Sequence, residues 1–210
     1  MSEVRQAYNS WADQYDTNEN KTRDLEGISL RSTLSKLHFI NCLEVGCGTG
    51  KNTEWLIAQA KKVVAVDFSE KMLAKAKNKI HADHVKFIQA DINNQWLFTN
   101  SERFDVAIFS LVLEHIENLE NIFEKLNEVI VSQGYVYISE LHPFKQYNGT
   151  KARFETENGL EIVQCFNHNI SDFTMAAKKF GFQLIDLQEY FDNDDRTTIP
   201  RILTVLFKKQ

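Results

Sequence analysis

The chain of 210 residues is 43% hydrophobic, enough for one α/β domain with a sizeable core. Its 24 basic residues against 29 acidic ones leave a net charge of −5, which argues against nucleic acid as a partner, because that calls for a clustered basic face. The three cysteines, Cys42, Cys47 and Cys165, form no C-x-x-C pair, so no disulfide framework or metal site is expected; with no signal-like start and no apolar run long enough for a membrane, the expected setting is cytoplasmic.

Val4, Tyr8, Trp11, Ala12 and Tyr15 recur at helical spacing and predict an amphipathic N-terminal helix. A polar stretch over residues 16–24 leads to a second helix over 25–37. The apolar run 42–45 reads as a buried strand that empties into Gly46, Gly48 and Gly50, and residues 51–60 read as a helix. A second strand over 63–66 ends at Asp67. Ser69 is a plausible cap for the next helix, whose apolar face is Met72, Leu73, Ala76 and Ile80. Its lysines (Lys71, Lys75, Lys77 and Lys79) form a solvated side.

Strands follow over 85–89 and 104–109, then a helix over 119–131 that Gly134 stops, and a fifth strand over 135–139. Residues 151–155 and 160–166 flank Thr156-Glu157-Asn158-Gly159, a turn signal for a hairpin inserted after that strand. A helix over 173–180 closes at Gly181. Strands over 182–190 and 201–207 are joined by a loop too short for a crossover helix, so they pair antiparallel.

The glycines decide which ligand to expect. They sit at every second position, where absent Cβ atoms let a ligand press against bare backbone. A dinucleotide fingerprint, G-x-G-x-x-G, would put its third glycine at position 51, which is Lys51. That speaks against a nicotinamide oxidoreductase. Asp67, at the end of the next strand, is a carboxylate of the kind that accepts hydrogen bonds from ribose hydroxyls.

The E-x-G-x-G-x-G run over Glu44 to Gly50, joined to Asp67, resembles motif I of the class I S-adenosylmethionine-dependent methyltransferases. The resemblance covers residues 41–140 by motif and the rest by topology. It implies a Rossmann-like sheet of seven mostly parallel strands in the order 3-2-1-4-5-7-6, with helices on both faces and the last strand antiparallel. The layout it implies is a single domain: an N-terminal helical cap at 1–40, a cofactor-binding core at 41–140, a substrate-roof insert at 141–171, and a C-terminal helix with an antiparallel strand pair at 172–210.

By the same resemblance, Glu44, Gly46, Cys47 and Gly48 surround the methionine moiety and ribose of S-adenosylmethionine. Asp67 holds the ribose hydroxyls, Phe68 packs on adenine, and Asp91 contacts the adenine amino group, with Ile92 and Leu111 as further cofactor contacts. Phe104 to Ser110, followed by Leu111 to His115, is similar to the fourth-strand motif beneath the transferring methyl. Tyr8, Trp11 and Tyr15 are similar to a Y-x-x-x-A-x-x-Y-D element that caps the cofactor in small-molecule members.

Methyl transfer rests largely on positioning, so a catalytic base is optional; if one is used, histidine is the default because it titrates near neutrality. His142 and His168 are the leading candidates, with His115 beside the expected methyl. Tyr147 and Arg153 of the insert are candidate substrate contacts. The expected product is S-adenosylhomocysteine and the expected partner a small-molecule acceptor. The expected reaction is methylation of nitrogen, oxygen or carbon, with a non-catalytic scaffold on the same fold as the alternative. Neither the acceptor nor an oligomeric state is legible.

Overall fold

Short, largely apolar runs form the middle of the sheet in the computed structural model, which describes residues 3–156 and 159–210. β1 (Asn41–Val45) lies between β2 (Lys62–Asp67) and β4 (Phe104–Ser110), parallel to both. β3 (Val85–Gln89) extends the sheet beyond β2, and β5 (Ile130–Leu141) extends it beyond β4. β9 (Ile202–Lys209) runs antiparallel between β5 and β8 (Phe182–Tyr190). The order β3-β2-β1-β4-β5-β9-β8 is the expected one, with a separate hairpin of β6 (Arg153–Thr156) and β7 (Gly159–Ile162) inserted after β5. The centre of the expected turn, residues 157 and 158, lies outside the described residues.

Each face of the sheet buries its own core, because side chains alternate along a strand. Leu43 and Val45 face α5 (Leu119–Val129) and α7 (Ile170–Lys179), where Phe109, Phe123 and Phe207 are fully buried. Cys42 faces α2 (Lys21–Leu34) and α3 (Thr53–Leu56) on the other side, among Leu30, Leu34 and Leu56. A third, smaller cluster joins α1 (Glu3–Trp11), α4 (Glu70–Lys79) and the hairpin through Trp11, Met72 and Phe154. The Trp11 and Phe154 rings stack with centroids 5.1 Å apart.

Four local expectations shift. The second helix begins at Lys21, because the Asn20 side chain accepts from Thr22 N and Arg23 N. It packs on the sheet against β5 and β9. The helix expected over 51–60 shortens to α3, flanked by turns whose bonds, such as Ala58 N to Trp55 O and Gln59 N to Leu56 O, are of the tighter three-residue kind. Gly134 does not stop α5. It sits inside β5, where a Cβ would stand 2.7 Å from Ile130 Cγ2 and 3.0 Å from the Asp105 carbonyl. The insert also carries α6 (Pro143–Tyr147), with His142 as its cap and Pro143 in the first turn.

Candidate active site

The parallel strands end together along one edge, where open α/β sheets hold ligands. A cavity of about 410 Å³ lies there. Val45, Gly46 and Gly48 form its floor, and Asp67 and Phe68 reach in from the end of β2. Asp91 and Ile92 line the side beyond β3, and Ser110 and Leu111 the side beyond β4. Tyr8 and Tyr15 cover it from the N-terminal segment, Gln164 and Phe166 from the insert.

The floor is built by backbone. Gly46 N and Cys47 N both donate to the Val66 carbonyl, at 2.7 and 3.0 Å, which pins the start of the loop to β2. Gly46 has φ +74°, and a Cβ on it would stand 2.1 Å from Val112 Cγ2. Gly48, at φ +54°, would direct its Cβ where no atom lies within 4 Å. Gly50 serves a different purpose: its Cβ would strike Ala76 and Ile80, so it lets α4 pack closely. Asp67 fixes the loop, its Oδ2 accepting from Gly48 N and its Oδ1 from Ser69 N, both at 2.8 Å. Burial raises the Asp67 carboxyl while these amides pull the other way.

The wall after β4 hangs on one buried acid. Glu140 Oε1 accepts from Val112 N at 3.0 Å and Leu113 N at 2.7 Å, and Oε2 from Glu114 N at 3.3 Å. Burial, followed by the neighbouring Glu114, pushes the Glu140 carboxyl up to about 8. Leu111, whose N–H donates to the Ser139 carbonyl at 2.8 Å, is held at φ +58°, a region that non-glycine residues seldom adopt.

Eight of the ten expected cofactor contacts line the cavity: Tyr15, Gly46, Gly48, Asp67, Phe68, Asp91, Ile92 and Leu111. Glu44 and Cys47 do not. Glu44 shares the strand face of Cys42, so it points into the α2–α3 layer and accepts from Thr53 Oγ1 at 2.6 Å. Burial pushes its carboxyl up to about 8. Cys47 packs in that same layer, and burial raises its thiol well above the ordinary range.

The histidines change rank. His115, the third choice from sequence, lines the cavity; its Nε2 lies 2.8 Å from Tyr8 Oη and its Nδ1 2.7 Å from the Gln164 carbonyl. A carbonyl only accepts, so Nδ1 carries a proton, and in the neutral ring Nε2 accepts from Tyr8. His142 is fully buried away from the cavity, with Nδ1 accepting from Phe144 N at 3.2 Å and Nε2 3.0 Å from Glu189 Oε1. His168 is also buried, with Nε2 2.7 Å from the Ile116 carbonyl and its ring edge-on to Phe173. Both are tied to structure behind the cavity wall. Tyr147 is exposed and bonded to Asn169, and it does not line the cavity.

Arg153 instead lines a second cavity of about 220 Å³, which adjoins the first through Tyr8, Tyr15 and Leu111. Glu114 opens onto it, and the Glu114 carboxylate, the His115 ring and the Cys165 thiol lie within 4.8 Å of one another. Burial pushes the Cys165 thiol up to about 12, so it stays protonated at neutral pH. Sequence reasoning missed Glu114, Gln164 and the cavity-facing part of Arg23. A loop carbonyl and a side chain from a distant helix leave no local pattern to read.

Residues 43–138 match the family model described as a methyltransferase domain. An uncharacterized methyltransferase of Emericella nidulans is 24% identical, over 88% of this chain and 77% of its own length. The malonyl-acyl-carrier-protein O-methyltransferase of Bacillus cytotoxicus is 32% identical over 60% of this chain, a match spanning 44% of that protein. Among solved structures, an S-adenosylmethionine-dependent methyltransferase from Mesorhizobium loti superposes with a TM-score of 0.73 at 21% identity, covering 88% of this chain and 98% of its own.

Proposed function

We propose that the chain is a class I S-adenosylmethionine-dependent methyltransferase, as its likeness to the methyltransferase-domain model and to known methyltransferases supports, and that it moves a methyl group to nitrogen, oxygen or carbon of a small-molecule acceptor. The observation that carries this reading is the bare floor of the larger cavity. Gly48 lines it, and a Cβ there would meet nothing within 4 Å. The residues present fit the cofactor. An ionised carboxylate offers about four acceptor positions; two of those on Asp67 are taken by amides. The others are left for the ribose hydroxyls. Phe68 and Ile92 would flank the adenine, and Gly46, Gly48 and Leu111 would accommodate the amino-acid end.

When bound, S-adenosylmethionine supplies a methyl carbon on a sulfonium, to which an acceptor lone pair bonds as the carbon–sulfur pair returns to sulfur. The chain's part is to orient, to exclude water and to accept a proton. Tyr8, Tyr15 and Phe166 shield the cavity from above. His115 Nε2 is the atom to take the acceptor's proton, directly or through the Tyr8 hydroxyl, since Nδ1–H stays committed to Gln164.

Calorimetry tests the cofactor half: S-adenosylhomocysteine should bind with a dissociation constant on the order of micromolar while NAD and NADP do not bind. A screen for S-adenosylhomocysteine release across candidate metabolites tests the transfer half. Nicotinamide binding without adenosylmethionine binding would overturn the reading.

A further inference from the structure

The cavity of about 220 Å³ beside the floor is walled by Trp11, Tyr8 and Leu141 and rimmed by Arg23, Lys151, Arg153 and Arg201. Four cations around so small a space run against the chain's overall charge of −5. Arg201 is neutralised: its Nε and Nη2 hold Asp192 at 2.5 and 2.6 Å. The other three have no carboxylate within ion-pair distance among the described residues.

Arg23 lies over the Tyr15 ring, its guanidinium carbon 4.2 Å from the centroid, and donates to the Tyr15 and Asn18 carbonyls. Among the described residues its Nε is buried without a hydrogen-bond partner, and so is Trp11 Nε1 on the same cavity. Both are donors. Glu114 is the one acid among the lining residues described, and burial raises its carboxyl toward the neutral form. The cavity therefore offers unmatched N–H groups and positive charge around an apolar wall.

We propose that the methyl acceptor carries an anionic group, a carboxylate or a phosphoryl group on a small apolar body, and that this cavity holds it through Arg23, Lys151 and Arg153. The proposal rests on the methyl-transfer reading and specifies the acceptor's class. Its geometry follows from the shared wall. With the anion against Arg23 and the rim, the remainder of the acceptor extends past Tyr8 and Leu111 into the larger cavity, where His115 waits. The charge thus sets which end of the acceptor faces the methyl, because only the far end escapes the cationic rim.

The test uses four probes of similar shape on the full isotope-labelled chain: benzoate, phenyl phosphate, benzamide and benzyl alcohol. The expected result is saturable displacement of the Trp11 indole and Arg23 Nε–H resonances by the anions, with the neutral probes weaker by about tenfold. Tighter binding of benzoate would assign a carboxylate, and of phenyl phosphate a phosphoryl group. Lys151 and Arg153 are both exposed, so replacing them leaves the core intact. A Lys151→Ala, Arg153→Ala double variant should weaken anion binding by about tenfold and leave benzamide and S-adenosylhomocysteine unchanged. Equal binding of neutral and anionic probes, or full anion affinity in the double variant, overturns the proposal. S-adenosylhomocysteine is titrated separately, so loss of the cofactor reading and loss of the anion site register in different measurements.

Discussion

Tyr8 Oη stands 2.8 Å from His115 Nε2, a bond that ties the N-terminal helix to the loop after β4 across 107 positions of sequence. Burial raises the Tyr8 phenol well above its ordinary range, so the hydroxyl remains a donor at all working pH values. The pair joins the roof of the cavity to its wall at the point where a proton would leave the acceptor. Tyr8→Phe should lower turnover by roughly tenfold to a hundredfold, with S-adenosylhomocysteine affinity within about threefold. Steady-state kinetics beside calorimetry checks this, and unchanged turnover would remove the pair from the chemistry.

Asp67 both holds the floor and faces the cavity. Asp67→Ala should weaken S-adenosylhomocysteine binding by about 1.5–3 kcal/mol for each charge-assisted hydrogen bond lost. Asp67→Asn, which still accepts on one oxygen, should fall between the two. Calorimetry on folded variants decides, and equal affinity across all three would take Asp67 out of the site.

The two glycines of the floor separate folding from binding. Gly46→Ala forces a Cβ to within 2.1 Å of Val112 Cγ2 at positive φ, and should destabilise the chain by about 2–4 kcal/mol. Gly48→Ala meets no neighbour, so its cost is backbone strain of about 1–2 kcal/mol. Its larger effect should be on cofactor binding, which the new methyl obstructs. Urea denaturation and calorimetry on both variants should give opposite rankings.

Glu44 makes stability depend on pH. Its carboxyl titrates near 4.5 when unfolded and at about 8 when folded, so the folded chain holds a proton that the unfolded chain releases. The stabilisation is full below the lower value and is lost as pH rises through the upper one. Glu44→Gln keeps an acceptor for Thr53 and never ionises. It should lessen the fall in stability between about pH 5 and 8, to which Glu140 contributes in the same direction, leaving the variant more stable than the parent at the alkaline end by on the order of a few kcal/mol. Denaturation at three pH values measures the slope, and parallel slopes would show that Glu44 titrates normally.

His142 should behave as part of the frame. His142→Ala loses the α6 cap and the Glu189 contact, which should lower stability by about 1–3 kcal/mol. Turnover at a temperature where the variant is folded should hold. A large loss of turnover with unchanged stability would return His142 to the site.

What could be read from sequence is what local covalent geometry dictates. Gly46, Gly48 and Asp67 were legible because a glycine turn between a strand and a helix has few uses, and the carboxylate one strand on restricts them further. Glu44 was legible in principle: it alternates with Leu43 and Val45 and so belongs to the opposite face. The histidines were not. His142 is decided by Glu189, 47 residues later, and His168 by the Ile116 carbonyl, 52 residues earlier. His142-Pro143 did carry a signal, since proline favours a first helical turn. The basic rim draws Arg23 from α2, Lys151 and Arg153 from the insert, and Arg201 from the last loop, and nothing short of the fold brings those together.

The stacking of Trp11 on Phe154 has a practical side. Helix α1 and the hairpin clasp each other beside the cavities, and Val4 in the first turn of α1 lines the larger one, so bulk attached ahead of α1 hangs near the candidate site. The other end of the chain leaves from elsewhere: Lys208 pairs with Tyr135, near the edge of the sheet opposite the cavity. An affinity handle or surface tether fused after Gln210 would therefore keep clear of the ligands, whereas one fused before α1 would compete with them.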